Sequence, residues 1–210
     1  MALIKPSGQE KTATAPPERR RATRDCPLLR EQLQDPRAEV RRWAARDLVD
    51  CPDSSQAVVD RLMIETEQSV REIMLTTLVR IADAPALAGL VQCLRSEETA
   101  LHSEAIEALQ QLPEVVAPIM RQLLADDTSD VRIFAVNVLE SLRHPEVETW
   151  LTEVIVSDPH VNVCATAVDL LGEVGSRAAL GPLQQLKTRF PQEPYIQFAA
   201  DLAIKRIQEA

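Results

Sequence analysis

The sequence predicts an all-α array of about six stacked helix pairs, on three observations. An apolar anchor recurs every 30 to 33 residues, at Val40, Val70, Leu101, Val131, Val163 and Ile196. Four residues after each stands Ala44, Met74, Ala105, Ala135, Ala167 or Ala200, and eight after stands Leu48, Leu78, Leu109, Leu139, Leu171 or Ile204. Apolar positions at i, i+4 and i+8 make one helical stripe, and a small central residue lets a second helix approach closely. Composition agrees: aromatics are 3 % and glycines five, too few for the turns and β-rich runs of a sandwich or barrel.

Each unit reads as two antiparallel helices, the second bearing the stripe above. The first bears its own, with Leu33, Met63, Leu94, Leu124 and Val156 seven residues before the anchor and Leu29, Val59, Leu90 and Met120 one turn further back. Corners fall at Asp35-Pro36, Glu65, Ser96-Glu97, Asp126-Asp127 and Asp158-Pro159, residues that start turns and cap helices. Pro52, Pro85, Pro113 and Pro145 mark the junctions between units, where a first-turn proline costs no hydrogen bond. Pro118 and Pro182 fall inside first helices and should bend them. The β-branched run Val154-Ile155-Val156 lies where a helix of the fifth unit is due and is read as helix.

Residues 1–25 carry six Lys or Arg against three acids, with prolines and no hydrophobic period, so a disordered basic tail is expected before one elongated domain at 26–210. The remainder is strongly acidic within a formal net charge of −9, which disfavours nucleic-acid binding across the main surface. No apolar run reaches membrane-spanning or signal-peptide length, so the expected location is the cytoplasm, with no membrane partner. Cys26, Cys51, Cys93 and Cys164 lack Cys-x-x-Cys spacing and are read as small apolar fillers in a reducing compartment.

The run Asp35-Pro36-Arg37-Ala38-Glu39-Val40-Arg41, followed by Ala44 and Leu48, resembles the second-helix signature of HEAT repeats; Glu65 to Arg71 and Asp126 to Arg132 repeat it. Leu171-Gly172-Glu173-Val174-Gly175 is similar to the ending of the bacterial, phycobilisome-lyase-like subtype. The resemblance spans roughly 26–208 and implies a right-handed α-α superhelix. It also implies a ladder in which the acid six residues before each Arg faces a neighbouring Arg, pairing Asp35/Arg41, Glu65/Arg71 and Asp126/Arg132. His102, Cys164 and Gln197 replace the ladder arginine, so the ladder should weaken at unit three and stop by unit five.

Chemistry is poorly represented. Three histidines are scattered; His160 and Cys164 share a helix face but find no third metal ligand, and no calcium loop, phosphate loop or nucleophile motif occurs. The expectation is no cofactor, no metal, no small-molecule substrate and no catalysis. With the stripe buried, positions two, three and six after each anchor should turn to the concave face. These give the candidate protein-binding residues Arg42, Trp43, Arg46, Glu72, Ile73, Glu104, Phe134, Asn137, Asp169 and Phe198. Trp beside Arg is a favoured anchor of recognition, although the third position could also pack half-buried against an adjacent second helix. The expected function is a protein-interaction adaptor. Local likeness to small bacterial HEAT proteins, in Ser141-Leu142-Arg143-His144-Pro145 and Glu193 to Asp201, implies chemosensory or two-component signalling; the alternative the resemblance offers is a subunit of a phycobilin lyase or isomerase.

Overall fold

The structure is a computed structural model that describes residues 25–209; the expectation of a disordered tail lies almost wholly outside them. Six first helices alternate with six second helices among the described residues. The first helices are α1 (Cys26–Gln32), α3 (Ser55–Leu62), α5 (Ala84–Cys93), α7 (Pro113–Leu124), α9 (Val147–Ser157) and α11 (Leu180–Arg189). The second helices are α2 (Ala38–Asp47), α4 (Gln68–Ile81), α6 (Thr99–Gln110), α8 (Ser129–Leu139), α10 (Val161–Val174) and α12 (Pro194–Glu209). Short 3-10 turns follow α2, at Leu48–Asp50, and precede α11, at Arg177–Ala179.

The anchors do what their period requires. Every residue four and eight places after an anchor is buried, and so is every anchor but Val40, which is half-buried in the first unit. Second helices pack on their neighbours from α2 through α12, whereas among first helices only α3 with α5 and α9 with α11 pack extensively. The first-helix layer is thus opened relative to the second-helix layer, which puts the second helices on the inner side of the array.

Local chemistry sets the helix ends. Asp25 accepts the Leu28 amide at the start of α1, and Asp83 accepts the Ala86 amide at the start of α5, each with a proline in the first turn. Asp83 also accepts the Ser55 hydroxyl at 2.6 Å, tying the start of the third unit to the second. Thr77 does the same on the second-helix layer, donating from a buried hydroxyl to the Ala45 carbonyl at 2.9 Å.

The ladder is present but wired differently from the expectation. Each arginine takes backbone carbonyls of its own corner and a carboxylate of the next unit. Arg41 donates to the Asp35 and Pro36 carbonyls and bidentately to Glu65; Arg132 donates to the Asp126 and Asp127 carbonyls and bidentately to Asp158. Arg71 reaches Glu98 and Glu104 of unit three. His102 donates only to the Ser96 carbonyl of its own corner, so no buried rung joins units three and four; the exposed Arg95–Asp126 pair spans that junction instead. Cys164 donates weakly to the Asp158 carbonyl, and Arg189 of the sixth unit reaches back to the Ile155 and Asp158 carbonyls at 2.5 and 2.6 Å.

Three further expectations are corrected. Val156 is exposed, because α9 stays helical to six residues before its anchor where α1 and α3 stop eight before; Ile155 takes the buried place. Pro182 falls in the first turn of α11, where no amide bond is lost, while Pro118 does sit inside α7, on its exposed side. Cys26 and Cys51 are not fillers: they form a disulfide, with Cα atoms 5.8 Å apart. Disulfides persist most readily in oxidising compartments, so the cysteines no longer support a cytoplasmic location. Cys93 and Cys164 are buried thiols, as read.

Candidate protein-interaction face

The helical period carries residues two, three and six places after each anchor around the inner side. On α2, Trp43 is 44 % exposed, with the Arg46 guanidinium 4.1 Å and that of Arg42 5.8 Å from its ring centroid. Arg46 also pairs with Asp47 at 2.8 Å. A cation over an aromatic face is attracted by the ring quadrupole, so the three side chains group as one basic-aromatic knob.

Between α4 and α6 lies a shallow groove lined by Glu72, Leu75, Thr76, Glu104 and Glu107. Glu72 accepts the Gln68 amide at 3.0 Å and is exposed. Glu104 differs from the other candidates: it turns to Arg71 at 3.2 Å and belongs to the ladder. Between α8 and α10 a second groove of about 220 Å³ is lined by Asn137, Glu140, Thr166, Asp169 and Glu173. A third, between α10 and α12, shares Asp169 and Glu173 and adds Leu202 and Arg206. Asp169 accepts the Tyr195 hydroxyl at 2.6 Å, and that hydrogen bond holds the phenol above its ordinary pKa.

The four apolar candidates divide into two classes. Ile73 and Phe134 are half-buried against the core, and the Phe134 ring lies 4.6 Å from that of His102 on the preceding second helix. Trp43 and Phe198 are exposed, Phe198 by 65 %. Tyr195 and Leu202 join Phe198 in one exposed stripe on α12 at i, i+3 and i+7. The sequence reading missed Tyr195 because it precedes its anchor, and missed Glu140 and Glu173 because they lie nine and ten places after theirs. One further helical turn along the same face would have included all three.

Elsewhere the chemistry is spent on structure. Burial pushes the Cys93 thiol up to about 12 and the Cys164 thiol up to about 11. Among the described residues no three His, Cys, Asp or Glu side chains converge as metal ligands, and no helix is long and apolar enough to cross a membrane.

Helix pairs stacked about a shared core, with second helices along one side, define the class: an α-α solenoid of the repeat type. Residues 116–205 match the family of HEAT repeats, in agreement with the resemblance read from the sequence. Units one to three, outside the match, keep the same helix pair and the same buried stripe. No curated protein matches as a relative. Similar solved structures include an engineered protein (21 % identity, 88 % of this chain and 97 % of that one, TM-score 0.39). A designed armadillo repeat protein in complex with the peptide (KR)4 is 19 % identical over 87 % of this chain and 99 % of that one, with TM-score 0.45. The complex of CpcE and CpcF of phycocyanin lyase from Nostoc sp. PCC7120 is 18 % identical over 96 % and 100 %, with TM-score 0.34.

Proposed function

We propose that this protein is a non-enzymatic interaction scaffold that holds a helix or an extended segment of a partner protein along its second helices. The observation that carries this reading is a contrast within each repeat. The buried stripe is nearly invariant from unit to unit, while the exposed positions differ in every unit and run from a basic aromatic knob at Trp43, through acid-lined grooves, to an aromatic stripe at Phe198. Stacking needs the first; only recognition gives the second a use. The matching partner segment carries basic side chains along its middle, opposite Glu72, Glu107, Glu140, Asp169 and Glu173, and apolar ones toward its ends. A place in a bacterial chemosensory or two-component system is the finer form of this proposal and rests on the likeness at Ser141 to Pro145 and Glu193 to Asp201.

The test is affinity capture from the native cell, followed by titration of the captured partner against the purified chain. Trp43→Ala and Phe198→Ala should each weaken that binding at least about tenfold, as loss of an aromatic anchor does, with the helical circular-dichroism signal unchanged. Unaltered affinity in both variants overturns the assignment of this face.

A further inference from the structure

We propose that the Cys26–Cys51 disulfide is a redox latch that holds α1 on the array, and that a dithiol reductant opens the first unit without unfolding the rest. The geometry isolates α1. It is seven residues long, none of them fully buried, and its extensive packing is with α2 and the turn that follows α2. A helix so short has no stability of its own in water. Its ties among the described residues include the disulfide to Cys51, two hydrogen bonds from Arg30 to the carbonyls of Pro52 and Asp53, the partly buried Leu29, and Leu33, buried just past its end. The disulfide and the Arg30 bonds converge on the same turn. That turn is fixed to α2 by other means, because the buried Ser54 hydroxyl donates to the Leu48 and Cys51 carbonyls at 2.9 and 2.8 Å. Opening the disulfide removes the one covalent tie, leaving α1 to the Arg30 hydrogen bonds and the burial of Leu33, while the turn stays in place.

The exchange chemistry is direct. A thiolate of the dithiol attacks the Sγ of Cys26, the less buried of the two residues; a bond forms between them, the Cys26–Cys51 bond breaks, and Cys51 leaves as a thiolate that takes up a proton. The second thiol of the reductant then displaces Cys26. The protein gains two electrons and two protons, and the dithiol becomes a disulfide. Cys93 and Cys164 take no part, since both are buried and held as thiols. Nothing in the latch depends on which partner the second helices hold. Its consequence for binding is that the unit presenting Trp43 loses its covering helix on reduction.

Two measurements decide it. Thiols counted in denatured, unreduced chain should number two, rising to four after dithiothreitol; four at the outset would overturn the latch. Hydrogen exchange of the folded chain should then show α1 amides losing at least about tenfold protection with dithiothreitol, α8 to α12 staying unchanged. The double variant Cys26→Ser/Cys51→Ser should reproduce that pattern without reductant. Full reduction that leaves α1 protection intact, or that loosens α8 to α12 as much as α1, overturns the proposal. Both readouts are independent of partner binding, so failure of the scaffold reading leaves them unaffected.

Discussion

Arg41 and Glu65 meet through two parallel hydrogen bonds, Nε to Oε2 and Nη2 to Oε1, each 2.7 Å long and buried between consecutive units. Glu65 also accepts Arg61 at 3.0 Å and the backbone amides of Thr66 and Glu67. One carboxylate therefore closes a corner, caps the following chain and joins two repeats.

Burial alone would raise the Glu65 pKa, but the hydrogen bonds from Arg41, Glu67 and Arg61 outweigh it and hold the carboxyl at about 2, below its ordinary 4.5. A lowered folded-state pKa stabilises the fold above the unfolded value, and the contribution drains away as pH falls from 4.5 toward 2. The loss should be on the order of 3 kcal/mol. Urea unfolding of wild type and Glu65→Gln across that range checks it: the two acid slopes should differ, and identical slopes would sink the argument.

Trp150 is 1 % exposed and stacks on His144 at 4.9 Å, yet its indole N–H meets no hydrogen-bond acceptor among the described residues. An unsatisfied buried donor costs about 1–3 kcal/mol. Trp150→Phe removes that donor and keeps an aromatic ring, so its unfolding free energy in urea should stay within about 1 kcal/mol of wild type. Trp150→Ala should lose about 3–5 kcal/mol through the cavity it leaves.

At Gly89 in α5, a Cβ would lie 2.2 Å from Val59 Cγ2 and 2.7 Å from Cγ1 on α3. A β-branched neighbour cannot swing away. Gly89→Ala should therefore destabilise by about 1–3 kcal/mol despite its better helix propensity; a gain in thermal midpoint would refute the close approach.

The raised pKa values of Cys93 and Cys164 keep both sulfurs protonated at neutral pH, and the thiolate is the reacting form. Iodoacetamide at about pH 8 should leave both unlabelled in the folded chain and label both in urea. Native labelling at a rate near that of a free thiol would contradict their burial.

Much of the fold was legible because stacking leaves a period in the sequence. The i, i+4, i+8 stripe named buried residues in all six units, and the ladder arginines were visible from their spacing. Which carboxylate each arginine reaches was not, because that depends on the rise between units, a quantity no single repeat contains. Val156 was misplaced for a related reason: the helix end, not the anchor, sets the register of the first helix. The Cys26–Cys51 bond lies outside any period, joining two positions that only the fold of one helix pair brings together. On the interaction face, Trp43 and Phe134 hold the same register position. Phe134 is covered by His102 of the preceding second helix, while α2 has no preceding second helix among the described residues. Exposure was set by place in the array, not by local sequence.

The missing rung at His102 gives the array a mechanical consequence. Arginine–carboxylate bridges from the ladder clamp unit one to two, two to three and four to five; from three to four the ion pair is the exposed Arg95–Asp126, beside the Gln110 amide on the Asn137 carbonyl and α6 packed on α8. At that junction the load between repeats therefore passes through helix packing and one amide hydrogen bond, where its neighbours add an arginine clamped on a carboxylate.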